Sequence, residues 1–282
     1  MELTAPDVAA KLVKEESERL GAYLADLPPN AWARPSACGD WEVRDVVAHL
    51  AGAARLYTDM ASRGLQGDSS TPEGRPAPGS PDFLGSYGAV IANRSIDLRK
   101  SLGDRVLAEY VSANTAFNRL FADLTPEDRE KPCYLPSGVY SAKTFVEFRM
   151  LELALHGWDI RSKLEPSAPL HPESVPMLIE LLPTVLHWFF VPRAASAVPR
   201  RYRFQVAAAA SLELDLVIDG PDASIEPSSS AAADLTLGCG AETFILAITG
   251  RLELGPAIVG GQVTSTGDAS LIAELACGFS GA

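Results

Sequence analysis

The chain has no apolar run approaching the length of a membrane span, no stripe of basic residues and no Cys-x-x-Cys pair. The first absence argues against a membrane-spanning helix. The second, with a formal charge of −12, argues against a general nucleic-acid or anionic-membrane surface. The third removes the usual mark of a structural zinc or dithiol redox site, so Cys38, Cys133, Cys239 and Cys277 read as scattered free thiols. The stretch Met1 to Asp7 lacks the positive start and apolar core of a signal peptide, which places the expected location in the cytoplasm. With 282 residues and 47% hydrophobic content, the chain can build two ordinary cores.

What the sequence does have is concentrated in two segments. In Phe145 to Ile160, a turn of about 100° per residue puts Phe145, Phe148, Arg149, Glu152, His156 and Asp159 on one helical stripe, with Leu151, Leu153, Leu155 and Ile160 flanking it. Glu147 and Arg161 fall on the opposite, solvent-facing side. The carboxylate of Glu152 and the imidazole of His156 therefore point inward. Buried without partners they would cost several kcal/mol, so they must pair with each other, with another helix or with a metal ion. In the second segment, Val43, Val46, Val47, Leu50, Ala54 and Tyr57 follow the spacing of a core-facing helix, with His49 at the edge of that stripe. One such histidine added to Glu-x-x-x-His gives the three protein ligands of an open zinc site. The alternative is an inward Glu-His-His hydrogen-bond network without an ion.

A pass along the chain separates two regions. Residues 1–192 read as a helical bundle: a helix over 4–26, the His49 helix over 41–64, a Gly/Pro/Ser-rich loop over 64–85 that is either a lid or disordered, a long helix over 86–124 with a possible break near Gly103, a loop through Pro132 and Pro136, the Glu152/His156 helix over 141–164 and a further helix over 172–190. Residues 191–201 form the linker. Residues 200–282 switch to period-two alternation in 203–207 and 212–218, a turn at 220–222, a strand at 233–237, a short helix over 242–249, then 250–252, 261–264 and a final helix from Asp268.

The stretch Cys38-Gly39-Asp40-Trp41-Glu42-Val43-Arg44-Asp45-Val46-Val47-Ala48-His49-Leu50, with Arg149-x-x-Glu152-x-x-x-His156-x-Trp158-Asp159 about a hundred residues on, resembles the mycothiol-dependent maleylpyruvate isomerase family. The resemblance implies a DinB-like four-helix-type bundle followed by a small sterol-carrier-like α+β domain. It implies a divalent metal, zinc first, on His49, Glu152 and His156, with mycothiol as the thiol cofactor. The His49 motif at the position the family expects tips the triad from a bare hydrogen-bond network to a metal site. Family members commonly carry Gly-Trp-Thr before the Val-Arg-Asp run. Glu42 replaces that Thr here, so Asp45 is expected to lose its capping partner, Asp40 to cap instead, and Asp45 to serve as a first-turn acid or a group behind His49.

The remaining candidates are assigned with their plainer alternatives. Arg149 either neutralises Glu152 or grips an acidic substrate. Asp159 either orients His156 or completes a hydrogen bond within the bundle. Arg251 either meets an anionic group of the cofactor or is an exposed helix-end cation. His187 reads as a core residue, His171 as exposed, and Cys38 as a small buried residue with an approach to the site as its alternative. The expected function is a metal-dependent, thiol-using isomerase or S-transferase of a small electrophilic metabolite, in a monomer or homodimer. The alternatives are a zinc hydrolase with Asp45 or Asp159 as base, and a non-enzymatic protein that binds an apolar ligand.

Overall fold

A computed structural model describes residues 6–165, 168–191, 199–208 and 211–279. The backbone divides into two compact units, 1–177 and 178–282.

The first unit is built from α1 (Pro6–Ala25), α2 (Val43–Leu65), α3 (Pro81–Leu102), α4 (Val106–Phe121), the single turn α5 (Pro126–Arg129), a hairpin of β1 (Pro132–Leu135) and β2 (Gly138–Ser141), and α6 (Ala142–Leu164). α2 is the centre of the bundle and packs on α3, α4 and α6, while α1 packs on α4 and α6. The stripe that the sequence assigns to the core of α2 is buried in full, from Val43 to Tyr57. α6 is apolar on nearly every side, and even Glu147 and Arg161 are half-buried. Phe145 and Phe148 are sealed completely. At about 1.5–3 kcal/mol for each side chain of that class, their burial offsets part of the cost of carrying Arg149, Glu152, His156 and Asp159 inward on the same helix, and the partners of those groups offset the rest.

The long helix expected over 86–124 is two helices. Gly103, at φ +55°, turns the chain between α3 and α4 in a conformation that favours glycine. α3 starts at Pro81, so the loop ahead of it spans 66–80 rather than 64–85. The segment read as a loop through Pro132 and Pro136 is the β1–β2 hairpin, whose strands of four residues are too short to show a period. Gly64 lets α2 lie against that hairpin. A Cβ there would collide with Cys133 Sγ and stand 2.6 Å from the carbonyl oxygen of Pro132.

The second unit begins within α7 (Val175–Phe189) and continues as β3 (Arg200–Ala207), β4 (Leu212–Asp219), β5 (Asp222–Pro227), β6 (Leu235–Gly240), α8 (Ala241–Ile248), α9 (Leu254–Val259), β7 (Val263–Gly267) and α10 (Leu271–Gly278). The strand order is β5-β4-β3-β6-β7, with β3 and β6 parallel and every other pair antiparallel. α8 lies against β3 and β6, and Phe204 meets Phe244 at 5.0 Å between ring centroids. Asp215 on β4 pairs in register with Arg203 on β3 and is fully buried beneath Arg201 and Arg203. The turn expected at 220–222 is present, with Gly220 at φ +60°, and it leads into β5, a strand the alternation does not announce. Residues 250–252 are a turn between α8 and α9. Among the described residues, no helix is long and apolar enough to cross a membrane.

Candidate metal centre and its pocket

His49 leaves the second turn of α2, and Glu152 and His156 leave adjacent turns of α6. Because α2 and α6 pack on one another, the three heads meet, with one ligand atom of each within 4.8 Å of the others. Glu152 Oε2 stands 2.7 Å from His49 Nε2 and 3.5 Å from His156 Nε2. The two rings cross edge to face, 4.7 Å apart at their centroids.

Each group is held from its far side. The Nδ1–H of His156 donates to Asp159 Oδ2 at 2.8 Å, and Asp159 is fully buried. His49 Nδ1 lies 3.3 Å from Ser95 Oγ, whose own hydrogen goes to the carbonyl of Ile91. The hydroxyl of Tyr57 donates to Glu152 Oε1 at 3.1 Å and leaves Oε2 facing the imidazoles. Trp41 covers both rings, with centroids 5.3 Å from His49 and 6.4 Å from His156. Burial works to raise the carboxyl of Glu152, but the charge and hydrogen bond of His49, then His156 and Arg149, overcome it and hold the group ionised well below the usual carboxylate range. Burial also lowers His156 below the usual imidazole value, against the pull of Asp159. The donor set is thus two imidazoles presenting Nε2 and one ionised carboxylate, with the opposite nitrogens already directed elsewhere. That is the ligand chemistry of an open zinc-type site.

The other expected residues fall in different places. Asp45 still caps α2, because it accepts the backbone N–H of Glu42 at 3.1 Å. Glu42, not Asp40, is the N-cap residue. A carboxylate three residues into the helix needs only that N–H, so losing the family's Thr does not release it. Its other oxygen takes Arg99 Nε at 2.8 Å, tying α2 to α3. Arg149 is sealed in the core and gives Nε and Nη2 to Asn114 Oδ1 at 3.2 and 2.8 Å. Nη1 has no hydrogen-bond partner among the described residues. Burial lowers its pKa, and its charge reaches Glu152 without a direct hydrogen bond. Arg251 lies in the second unit, in the turn after α8, where it donates to the carbonyl of Thr249. Cys38 is the small buried residue the sequence suggests, and it also lies beside His156 and Asp159.

A cavity of about 430 Å³ opens on His49 and Glu152 of the triad. His49, Tyr57 and Glu152 form one side, with Ser95, Arg94 of α3 and Arg75 of the 66–80 loop around the rest. Neither guanidinium has a hydrogen bond or ion pair among the described residues, unlike Arg99 one turn further along α3. Sequence reasoning missed Arg75, Arg94 and Ser95, since nothing in their own segments marks them. Tyr57 it had only as a core residue, although its place on the His49 helix was the available signal.

A crystal structure of the mycothiol-dependent maleylpyruvate isomerase superposes with a TM-score of 0.62 at 12% identity, covering 93% of each chain, and so does a point mutant of that enzyme. The match spans both units and shows the fold, a helical bundle followed by a sheet domain. Structures of Sterol Carrier Protein 2 Like 2 from Aedes aegypti, at 22% and 26% identity, cover 35% and 37% of this chain and 87% and 94% of theirs, with a TM-score of 0.28. The search of curated proteins returned no match. The family model described as the mycothiol maleylpyruvate isomerase N-terminal domain matches residues 13–161, from the first helix through the whole triad. With more than half of its residues matched, including every residue that brings the two imidazoles and the carboxylate together, the chain belongs to the mycothiol maleylpyruvate isomerase N-terminal domain family.

Proposed function

We propose that His49, Glu152 and His156 hold a divalent metal ion, zinc first, and that the protein uses it with mycothiol to isomerise, or transfer sulfur to, a small electrophilic metabolite. The observation that carries this reading is the convergence of two Nε2 atoms on Glu152 Oε2, with the far nitrogens engaged by Asp159 and Ser95. Imidazole and carboxylate ligands suit zinc. Such an ion, bound there, would lower the pKa of a coordinated thiol and so supply a nucleophilic sulfur for an activated double bond or another electrophile.

The chain's own residues do the positioning. Asp159 fixes the tautomer of His156 by accepting the hydrogen bond of its Nδ1–H, and Tyr57 fixes the rotation of the Glu152 carboxylate. Trp41 walls the rings from one side and limits water there. Arg75 and Arg94, whose guanidinium groups have no hydrogen bond or ion pair among the described residues, supply donors for a carboxylate on the electrophile. Arg149 contributes charge to Glu152 from the core, and Arg251 remains a candidate for the cofactor's polar groups. The hydrolase alternative is less well served. Asp45 is committed to Arg99 and the helix cap, and Asp159 to His156, so neither stands ready as a base.

Enzyme assays with maleylpyruvate as the electrophile test the reading. Turnover that needs both metal and mycothiol supports it, and turnover of an ester or amide without thiol replaces it with the hydrolase.

A further inference from the structure

His156 has two faces, and only one belongs to the triad. Its Nε2 looks toward Glu152, while its Nδ1 looks toward Asp159, which groups with Cys38. One ligand atom from each of Cys38, His156 and Asp159 lies within 4.8 Å of the other two. The loop that carries Cys38 is fastened at this spot. The N–H of Ala37 donates to the carbonyl of Asp159 at 2.8 Å, and the N–H of Cys38 donates to Ser36 Oγ at 3.1 Å. The thiol is buried and the carboxylate fully so.

We infer that Cys38, Asp159 and His156 form a second site for a soft divalent cation, behind the triad and sharing its imidazole. With metal bonds of about 2.0–2.3 Å, Nδ1 and the carboxylate oxygen, now 2.8 Å apart in a hydrogen bond, would separate slightly to share an ion with the thiolate. The ion would take the thiolate of Cys38, a carboxylate oxygen of Asp159 and Nδ1 of His156. With the front site filled through Nε2, its binding releases the thiol proton and the Nδ1 proton, and the imidazolate bridges two ions. The two sites differ in softness. The triad offers nitrogen and oxygen only, while the rear site adds sulfur and so favours zinc or cadmium over magnesium, calcium or manganese. Occupancy breaks the hydrogen bond from His156 to Asp159, so the rear ion also disturbs a ligand of the front one.

The inference rests on the proposed function only through the shared His156, and cadmium titration separates the two. Wild type should bind two cadmium ions per chain, and an ultraviolet cadmium–thiolate charge-transfer band should grow with the weaker equivalent. Cys38→Ser should bind one ion without the band, and Asp159→Asn should weaken the band-forming equivalent at least tenfold. His49→Ala should lose the other equivalent while keeping the band. One ion per chain with no band in wild type, or a band unchanged in Cys38→Ser, overturns the rear site. A His49→Ala protein with undiminished stoichiometry overturns the triad reading instead. If Cys38→Ser does not fold, the stoichiometry and band of wild type decide alone.

Discussion

Replacing Asp159 by Asn keeps the shape of the side chain and removes its charge. In the folded protein that charge is fully buried and accepts the Nδ1 proton of His156 at 2.8 Å. Loss of a carboxylate behind a metal-bound histidine costs about 10–100-fold in affinity, or roughly 1.4–2.8 kcal/mol. Ser95→Ala is the internal comparison. Its hydroxyl is neutral, stands 3.3 Å from His49 Nδ1 and is already engaged with the carbonyl of Ile91, so its loss should cost at most about threefold. Competition titration of zinc against a chromophoric chelator measures both, with circular dichroism to confirm that each variant folds. Asp159→Asn within threefold of wild type, or Ser95→Ala as damaging as Asp159→Asn, would refute the argument that the carboxylate aims and charges the site.

Other consequences follow from particular contacts. Arg75→Gln and Arg94→Gln should each raise KM for a carboxylate-bearing electrophile by roughly tenfold, as loss of a hydrogen bond to a charged group implies, with metal content unchanged; equal KM values would remove them from the substrate site. Gly64→Ala should lower stability by about 1–3 kcal/mol through collision with Cys133 and Pro132, read as a drop in thermal midpoint; an unchanged midpoint would show that α2 and the hairpin adjust freely. For Asp215, burial raises the pKa, but Arg203 and Arg201 outweigh it and the net shift is downward. A folded pKa below the unfolded value of about 3.9 means stability that is present above that pH and lost as the pH falls through the folded value. Asp215→Asn should therefore be less stable than wild type at neutral pH and should lose less on acidification below about pH 4; parallel acid profiles would count against the network.

The sequence made the triad legible because its signal is local. Glu152 and His156 are one turn apart on an apolar helix, and His49 sits at the edge of a clean core stripe on another. The same patterns located α2 and α6 to within about two residues, and Gly103 marked the break between α3 and α4. What stayed hidden depends on long-range contact. The partner of Asp45 is 54 residues away on α3, and that of Arg149 is 35 residues away on α4, so neither role can be read from its own helix. Arg75 and Arg94 gain meaning only when the 66–80 loop and α3 meet across the cavity. The two strands of the hairpin, α5, β5 and α9 are six residues long or less, where periodicity has little to work with.

The central claim is that the three converging heads hold an ion that recruits a thiol. Elemental analysis of purified wild type and His49→Ala, followed by calorimetric titration of each with mycothiol, tests it most directly. The account predicts that wild type holds one zinc more than His49→Ala, the one at the triad, and that mycothiol binding disappears with it. No metal in either protein after zinc is supplied, or mycothiol binding that is equal in both, would contradict it.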